Sequence, residues 1–343
     1  MAVSHRSTGS VAGGILSAVG NTPLVDLASL APVPGARVLA KLEMLNPGGS
    51  AKDRAALNML LDKIRRGELR PGVSVVVESS SGNLAIGLAQ VCRYFGLRFV
   101  CVVDARTTEH NVAILRAYRA SIEIVTEKDP ETGAYLPARL RRVRELVENT
   151  PNAYWPNQYA NPLNAQAQEQ TMREISTALD GRVDYLFCAT SSCGTVRGCS
   201  DYVRRHGLPT VVVAVDAAGS QIFGQDRKAG NRLIPGYGSA FRPPLLEQDT
   251  VDEVVHVSDL DCVVACRRLM EQEAMLVGGS SGATVAAMAA MRDRIAPGAT
   301  CVAIFPDGGD RYLDTIYSDS WVAEHFGDVA SLWTDPRTAL EMV

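Results

Sequence analysis

Short apolar runs alternate along the chain with longer stretches in which apolar positions recur every three or four residues. Eight runs predict strands: VLAKLEM (38–44), VSVVVES (73–79), RFVCVVD (98–104), SIEIVTE (121–127), VDYLFCA (183–189), TVVVAVD (210–216), EVVHVS (253–258) and TCVAIFP (300–306). They show little apolar–polar alternation, the pattern of parallel strands buried on both faces. Between them, AALNMLLDKIRRGEL (55–69), NLAIGLAQVCRYFG (83–96) and AQAQEQTMREISTALDG (165–181) carry the period of amphipathic helices. Such alternation predicts an α/β protein with doubly wound, mostly parallel sheets. No repeat or low-complexity linker interrupts it. The Pro- and Asn-rich stretch TPNAYWPNQYANPLN (150–164) is the best interior boundary. It sets a smaller domain of 46–155 against a larger one made of 1–45 and 156–343. Ligands of open α/β sheets bind at the carboxyl ends of strands, so the turns that follow strands are the place to look for chemistry.

Composition narrows the classes. A chain of 343 residues has room for two domains, and 46% hydrophobic with 21% charged residues is ordinary soluble composition. A net charge of −4 offers no basic field, so neither nucleic acid nor an anionic membrane is an expected partner. The opening MAVSHRSTGSVAGGILSAVG lacks the apolar core of a signal peptide, and no apolar run is long enough to span a bilayer. The eight cysteines include no CxxC pair and sit mostly in apolar segments, which predicts reduced, buried thiols and a cytoplasmic home. The five histidines show no metal-ligand spacing, and no metal is expected. Of the 34 basic residues only Lys41, Lys52, Lys63, Lys128 and Lys228 are lysine, which shortens the choice of amine catalysts.

One of these lysines has an unusual setting. In NPGGSAKDR (46–54) turn punctuation and a good N-cap, Ser50, come just before Lys52. A cation in a first helical turn opposes the helix dipole, and burial there favours the neutral amine that Schiff-base chemistry uses. A solvated surface lysine fits the same stretch equally well. Three turns add to it. Glu78-Ser79-Ser80-Ser81-Gly82-Asn83-Leu84 follows a strand and opens a helix, a setting for a carboxylate. Thr190-Ser191-Ser192-Cys193-Gly194-Thr195 repeats that order and suits a phosphate, although it is neither a Walker A loop nor GxGxxG. Gly278-Gly279-Ser280-Ser281-Gly282-Ala283 leads into an Ala-rich helix. Each turn alone reads better as a plain helix cap. A lysine, a carboxylate turn, a phosphate turn and a hydroxyl turn together are the parts a pyridoxal phosphate enzyme needs.

In this order the four motifs resemble the cysteine synthase family, the fold-type II β-replacement enzymes that use pyridoxal 5′-phosphate. The similarity runs from GGILSAVGNTPLVDL (13–27) to FPDGGDRYLDTIYSDSW (305–321), and includes NQYANPLN (157–164) and NRLIPGYGSAF (231–241). The resemblance implies two three-layer αβα domains like those of the tryptophan synthase β chain, with the smaller domain mobile. It also implies a homodimer and small amino-acid substrates. Lys52 would carry the cofactor and act as base. Asn83 would bond the ring hydroxyl. Ser80, Ser81, Asn83 and Gln158 would hold the substrate α-carboxylate, Ser191, Ser192, Cys193, Gly194 and Thr195 the cofactor phosphate, and Ser280 would face the pyridine nitrogen. A neutral hydroxyl there favours prompt loss of a β-substituent, giving an aminoacrylate to which a second nucleophile adds.

The chain departs from the usual family pattern at several points. SSCGT (191–195) replaces GTGGT, Leu84 replaces the threonine of SGNTG, and Tyr159 replaces a phenylalanine. ESSSGNL, NQYANP and TSSCGT resemble the branch making N-(2-amino-2-carboxyethyl)-L-glutamate from O-phospho-L-serine and L-glutamate, toward L-2,3-diaminopropionate for siderophores or peptide antibiotics. The alternative is a cysteine synthase using O-acetylserine or O-phosphoserine with sulfide. A phosphate leaving group and a dicarboxylate nucleophile both call for cations. Among Arg139, Arg141 and Arg142, Arg139 is the expected contact for glutamate. Arg232 and Arg242 flank the GYGSAF turn within reach of a leaving phosphate, and Ser192 and Tyr159 offer hydroxyls to the incoming substrate. For any one of these arginines a solvated surface role is the plain alternative.

Overall fold

The computed structural model describes residues 13–30, 32–131, 133–224 and 232–334. The first elements are β1 (Leu24–Asp26), β2 (Arg37–Leu42), α1 (Lys52–Arg65), β3 (Val75–Ser79), α2 (Asn83–Phe95), β4 (Arg98–Asp104), α3 (Glu109–Ala117) and β5 (Ser121–Val125). After them come α4 (Tyr135–Asn149), β6 (Ala153–Tyr154), α5 (Pro162–Ala178), β7 (Tyr185–Ala189), α6 (Gly194–Arg205) and β8 (Val211–Ala217). The last are β9 (Glu253–Val257), α7 (Asp259–Glu273), α8 (Gly279–Ala290), β10 (Thr300–Phe305) and α9 (Asp319–Phe326).

All eight expected strands form, and their trimmed ends have local causes. Val73 and Ser74 fall outside β3 because both donate backbone N–H groups to Arg70 O in a turn. The helix expected over 55–69 starts earlier, at Lys52, and stops at Arg65, after which Glu68 and Leu69 fold back onto Lys63 O. Its N-cap is Ala51 rather than the expected Ser50, although Ser50 Oγ accepts the Lys52 N–H at 3.2 Å. The helix expected over 165–181 begins at Pro162, where a missing N–H costs nothing. Gly96, in the left-handed region at φ 68°, ends α2.

The chain divides into two compact units. The first takes Asn46–Ala167 together with the N-terminal residues up to Gly20, and the second takes Asn21–Leu45 and the chain from Gln168 onward. The expected split at 155/156 is therefore displaced. Leu16 and Leu163 pack with the core of the first unit around Met59, Leu60, Leu88 and Leu115, and Leu163 O accepts from Asn58 Nδ2 at 2.8 Å. A composition shift marks where the turn lies, not which core takes the residues after it.

Each unit has its own sheet. In the first, the order is β5-β4-β3-β6, all parallel. In the second it is β1-β2-β10-β7-β8-β9, with only the β1–β2 pair antiparallel. Both orders reverse direction once. The chain leaves β3 toward β4 and β5 and returns to its other side at β6; it leaves β7 toward β8 and β9 and returns to its other side at β10. Crevices at such switch points, beyond the carboxyl ends of the strands, are where this architecture binds ligands. The segments they single out are those after β3 and β6, and those after β7 and β10.

Candidate active site

In the first unit, the turn before α1 is held shut from both sides. Gly49 N–H donates to Asn46 O at 2.8 Å, and Asn46 Oδ1 accepts from Gly20 N–H at 2.8 Å. Asp53, in the first turn of α1 and 1% exposed, accepts the Gly48 N–H. Its carboxylate sits at the positive end of the helix, where an anion is favoured, and stands next to the half-buried Lys52. A Cβ on Gly48 would lie 2.6 Å from Asp53 Oδ1. Gly48→Ala is therefore expected to destabilise the protein by about 1–3 kcal/mol and to weaken loading of the lysine. Urea unfolding reads the first effect and cofactor absorbance the second; wild-type values in both would mean that Asp53 does not close this turn.

The serine turn after β3 faces the segment after β6. Ser80 Oγ accepts the N–H groups of Gly82 (3.4 Å) and Ala85 (3.2 Å), so it caps α2 and keeps its O–H to donate. Ser81 O accepts from Asn111 Nδ2 at 2.9 Å. Asn83 begins α2 behind Gly82, and no side chain of the N-cap closes that end. Gln158 is buried; its Nε2 reaches Ser79 O at 3.5 Å, and its O accepts from Asn164 Nδ2 at 2.8 Å. Glu78, fully buried at the end of β3, ties the two segments together. Its Oε1 accepts from Ser79 N–H (2.8 Å) and Trp155 Nε1 (3.0 Å), and its Oε2 accepts from Gln158 N–H (3.3 Å). Burial pushes this carboxyl up to about 7 against the pull of those donors.

The arginines of α4 separate by environment. Arg141 pairs with Asp129, and Arg142 with Glu123 and Glu145. Arg139 is different: its side chain is only 11% exposed, with Nε 3.4 Å from Asp104 Oδ2 at the end of β4. Neither Nε nor Nη1 has a hydrogen-bond partner among the described residues. Buried guanidinium groups are normally satisfied, so these two nitrogens stand out. Tyr159 lies within its electrostatic reach; burial pushes the phenol up to about 12, with Arg139 pulling the other way.

In the second unit, Ser191 to Thr195 join β7 to α6. Cys193, the N-cap, has a left-handed backbone (φ 64°), and no side chain caps the helix. By contrast α3, α7 and α9 are closed by Thr108, Ser258 and Ser318. Thr190 O accepts from Gly238 N–H at 2.6 Å, which brings the GYG turn against this loop. Arg232 Nη1 donates to Tyr237 O at 3.1 Å, bracing that turn, and Arg242 donates to the carbonyls of Ile222, Leu246 and Glu247. Ser280 is buried in the first turn of α8, whose N-cap Gly278 has no side-chain cap. A Cβ on Gly278 would meet Asp307 Oδ1 at 1.9 Å, and Asp307 O accepts the Gly278 N–H at 2.9 Å. Tyr312 O–H donates to Asp307 Oδ2 at 2.7 Å. The turn after β10 thus fixes the turn bearing Ser280.

Sequence reasoning passed over the buried acids Asp53, Glu78, Asp216 and Asp307. Glu78, Asp216 and Asp307 stand at or just after a strand's carboxyl end, which was the available signal. Asp216, fully buried in β8, has its Oδ2 4.0 Å from His256 Nε2, and burial raises its pKa. All eight cysteines are buried, and none is in a disulfide. Among the described residues no helix is long and apolar enough to cross a membrane, and no acid–His–Cys group could hold a metal.

The family model described as pyridoxal-phosphate dependent enzyme matches residues 15–307. The N-(2-amino-2-carboxyethyl)-L-glutamate synthase of Ralstonia nicotianae is 46% identical over 314 residues, covering 91% of this chain and 92% of its own. The protein of the same name from Cupriavidus metallidurans is 44% identical over 317 residues, covering 91% and 92%. Among solved structures, the O-acetylserine dependent cystathionine beta-synthase of Helicobacter pylori superposes with a TM-score of 0.82 at 29% identity, covering 90% of this chain and 100% of its own. An O-ureido-L-serine synthase gives 0.83 at 28% identity, covering 97% and 100%.

Proposed function

The chain belongs to the pyridoxal-phosphate dependent enzyme family, and from that premise we propose that it joins O-phospho-L-serine to L-glutamate, giving N-(2-amino-2-carboxyethyl)-L-glutamate and phosphate. The Cβ–O bond to phosphate breaks, a Cβ–N bond to the glutamate amine forms, and the proton taken from Cα is returned there. The amine's own proton leaves with the solvent.

The residues fit the cofactor. An anion suits the start of α6, where the left-handed Cys193 turns the chain so that backbone N–H groups open onto a helix end with no side-chain cap. A buried hydroxyl, Ser280, sits on a turn whose Gly278 leaves no room for a Cβ. Bound there, pyridoxal phosphate supplies a carbonyl that takes amines and a ring that accepts the electron pair released at Cα. Lys52 would carry the cofactor, and its Nζ would serve as the base for the Cα proton. Asn83 would donate to the ring hydroxyl, Ser191, Ser192, Cys193, Gly194 and Thr195 would hold the phosphate, and Ser280 would serve the ring nitrogen. Ser80, Ser81, Asn83 and Gln158 hold the α-carboxylate, while Tyr159 and Ser192 read the second substrate. Arg232 receives the leaving phosphate.

One observation carries the choice of nucleophile: the buried guanidinium of Arg139, with two nitrogens lacking hydrogen-bond partners. Glutamate brings carboxylates to it, whereas sulfide brings nothing that a planar fork can hold. We further propose a homodimer acting in the cytoplasm, in keeping with eight cysteines outside any disulfide, and a product destined for L-2,3-diaminopropionate in a siderophore or peptide antibiotic. The test is phosphate release from O-phospho-L-serine by holoenzyme, with glutamate and sulfide supplied separately. Release dependent on glutamate is expected; release driven by sulfide and not by glutamate would make the protein a cysteine synthase.

A further inference from the structure

Glu78 is a fully buried acid that none of the chemistry above uses. It lies on the first unit's switch point, and its hydrogen bonds run to both sides. On one side is Ser79, the start of the serine turn; on the other are Trp155 and Gln158, with a further backbone bond from Asn157. Strand β6 pairs with β3 through only Val75–Ala153 and Val76–Tyr154, so past Tyr154 no ladder fixes the chain that carries Gln158 and Tyr159. The Glu78 carboxylate replaces that ladder. All its hydrogen-bond partners among the described residues are donors, an arrangement that satisfies a carboxylate and offers no acceptor to a protonated one.

We propose that Glu78 is a positioning residue whose carboxylate locks Gln158 opposite the serine turn and so prepares the pocket for the α-carboxylate of the amino-acid substrate. This rests on the assignment of that turn to the α-carboxylate and is independent of which nucleophile follows. The titratable groups around Glu78 are Cys101 of β4, Tyr154 and Tyr159, all held neutral by burial, which pushes each up to about 12. The nearby charges are Arg139, already paired with Asp104, and Arg144, whose guanidinium lies 5.8 Å from the centre of the Trp155 ring. Cys101, Tyr154 and Tyr159 thus stay neutral between pH 5 and 9, and an ionisation near neutrality in this region belongs to Glu78.

The linkage has a definite sign. Below about pH 7 Glu78 takes up a proton, one lone pair stops accepting, and Gln158 loosens. Affinity for an α-carboxylate therefore falls as pH falls. Glu78→Gln mimics the protonated form at every pH.

The probe is L-alanine, which has an amine and an α-carboxylate but no leaving group, titrated into holoenzyme by the change in cofactor absorbance. Glu78→Gln is expected to bind it about tenfold more weakly than wild type at pH 8 and nearly equally at pH 5.5, the ratio changing through a midpoint near pH 7. Ionisation of the ligand cancels in the ratio. Trp155→Phe removes one donor to the charged form and moves that midpoint upward. Without cofactor, Trp155 fluorescence should titrate near pH 7 in wild type and not in Glu78→Gln. A constant ratio across pH would reduce Glu78 to a packing role, and tighter binding by Glu78→Gln would show that its charge repels the substrate. Either result overturns the proposal. If neither protein responds to L-alanine, while fluorescence still titrates, the assignment of the turn fails instead.

Discussion

Lys52→Ala is expected to lower turnover at least about 10³-fold, because one side chain both carries the cofactor and moves the Cα proton. The other described lysines are committed elsewhere. Lys41 is buried, donating to Thr22 O at 2.6 Å and pairing with Glu174 Oε2 at 2.7 Å. Lys63 pairs with Glu68, and Lys128 lies 5.6 Å from the centre of the Tyr135 ring. Lys228 falls outside the described residues. The visible absorbance that marks a lysine-linked cofactor should vanish in Lys52→Ala, while the unfolding midpoint stays near that of the wild-type apoprotein. A variant that kept both the band and turnover would assign the chemistry to another amine.

Arg139→Met is expected to cut kcat/KM for glutamate about 100-fold, the loss of a charge-assisted bond in a water-poor site. The effect should fall on KM for glutamate and leave KM for O-phospho-L-serine within a few-fold. Stability should fall as well, since Asp104, only 5% exposed, keeps only the exposed Arg106 at 3.7 Å as a cation; the loss stays below the about 3–5 kcal/mol of a buried charge left with no partner. Asp104→Asn separates the two consequences. It removes the same ion pair but keeps the guanidinium, so it should lose stability without losing glutamate. Steady-state kinetics with each substrate varied in turn decides the matter. A larger effect on phosphoserine than on glutamate would move Arg139 to the leaving group.

What was legible in the sequence follows from what each signal measures. Apolar runs report burial on both faces, so the eight strands were visible, whereas β1 and β6, of three and two residues, are shorter than any pattern can register. Turn chemistry at Ser79–Asn83, Ser191–Thr195 and Gly278–Ala283 was readable because Gly and Ser have few other reasons to cluster after strands. Strand order is a property of long-range pairing and was not readable, so Glu78 looked like one more acid at a strand end. Only the return of β6 beside β3 reveals that its carboxylate faces Trp155 and Gln158. The arginines make the same point. Arg139, Arg141 and Arg142 stand within four residues on one helix, yet only Arg139 is nearly buried, against Asp104, while the more exposed Arg141 and Arg142 pair with Asp129 and with Glu123 and Glu145. Arg242, a phosphate candidate by sequence, spends its guanidinium on the carbonyls of Ile222, Leu246 and Glu247.

The most direct measurement is the mass of the product formed by holoenzyme from O-phospho-L-serine, with sulfide and nitrogen-labelled glutamate present together. The account predicts an adduct in which the labelled nitrogen bridges the glutamate carbons and the three carbons of serine, with one phosphate released per adduct. Cysteine as the main product, with the label still in free glutamate, would contradict it.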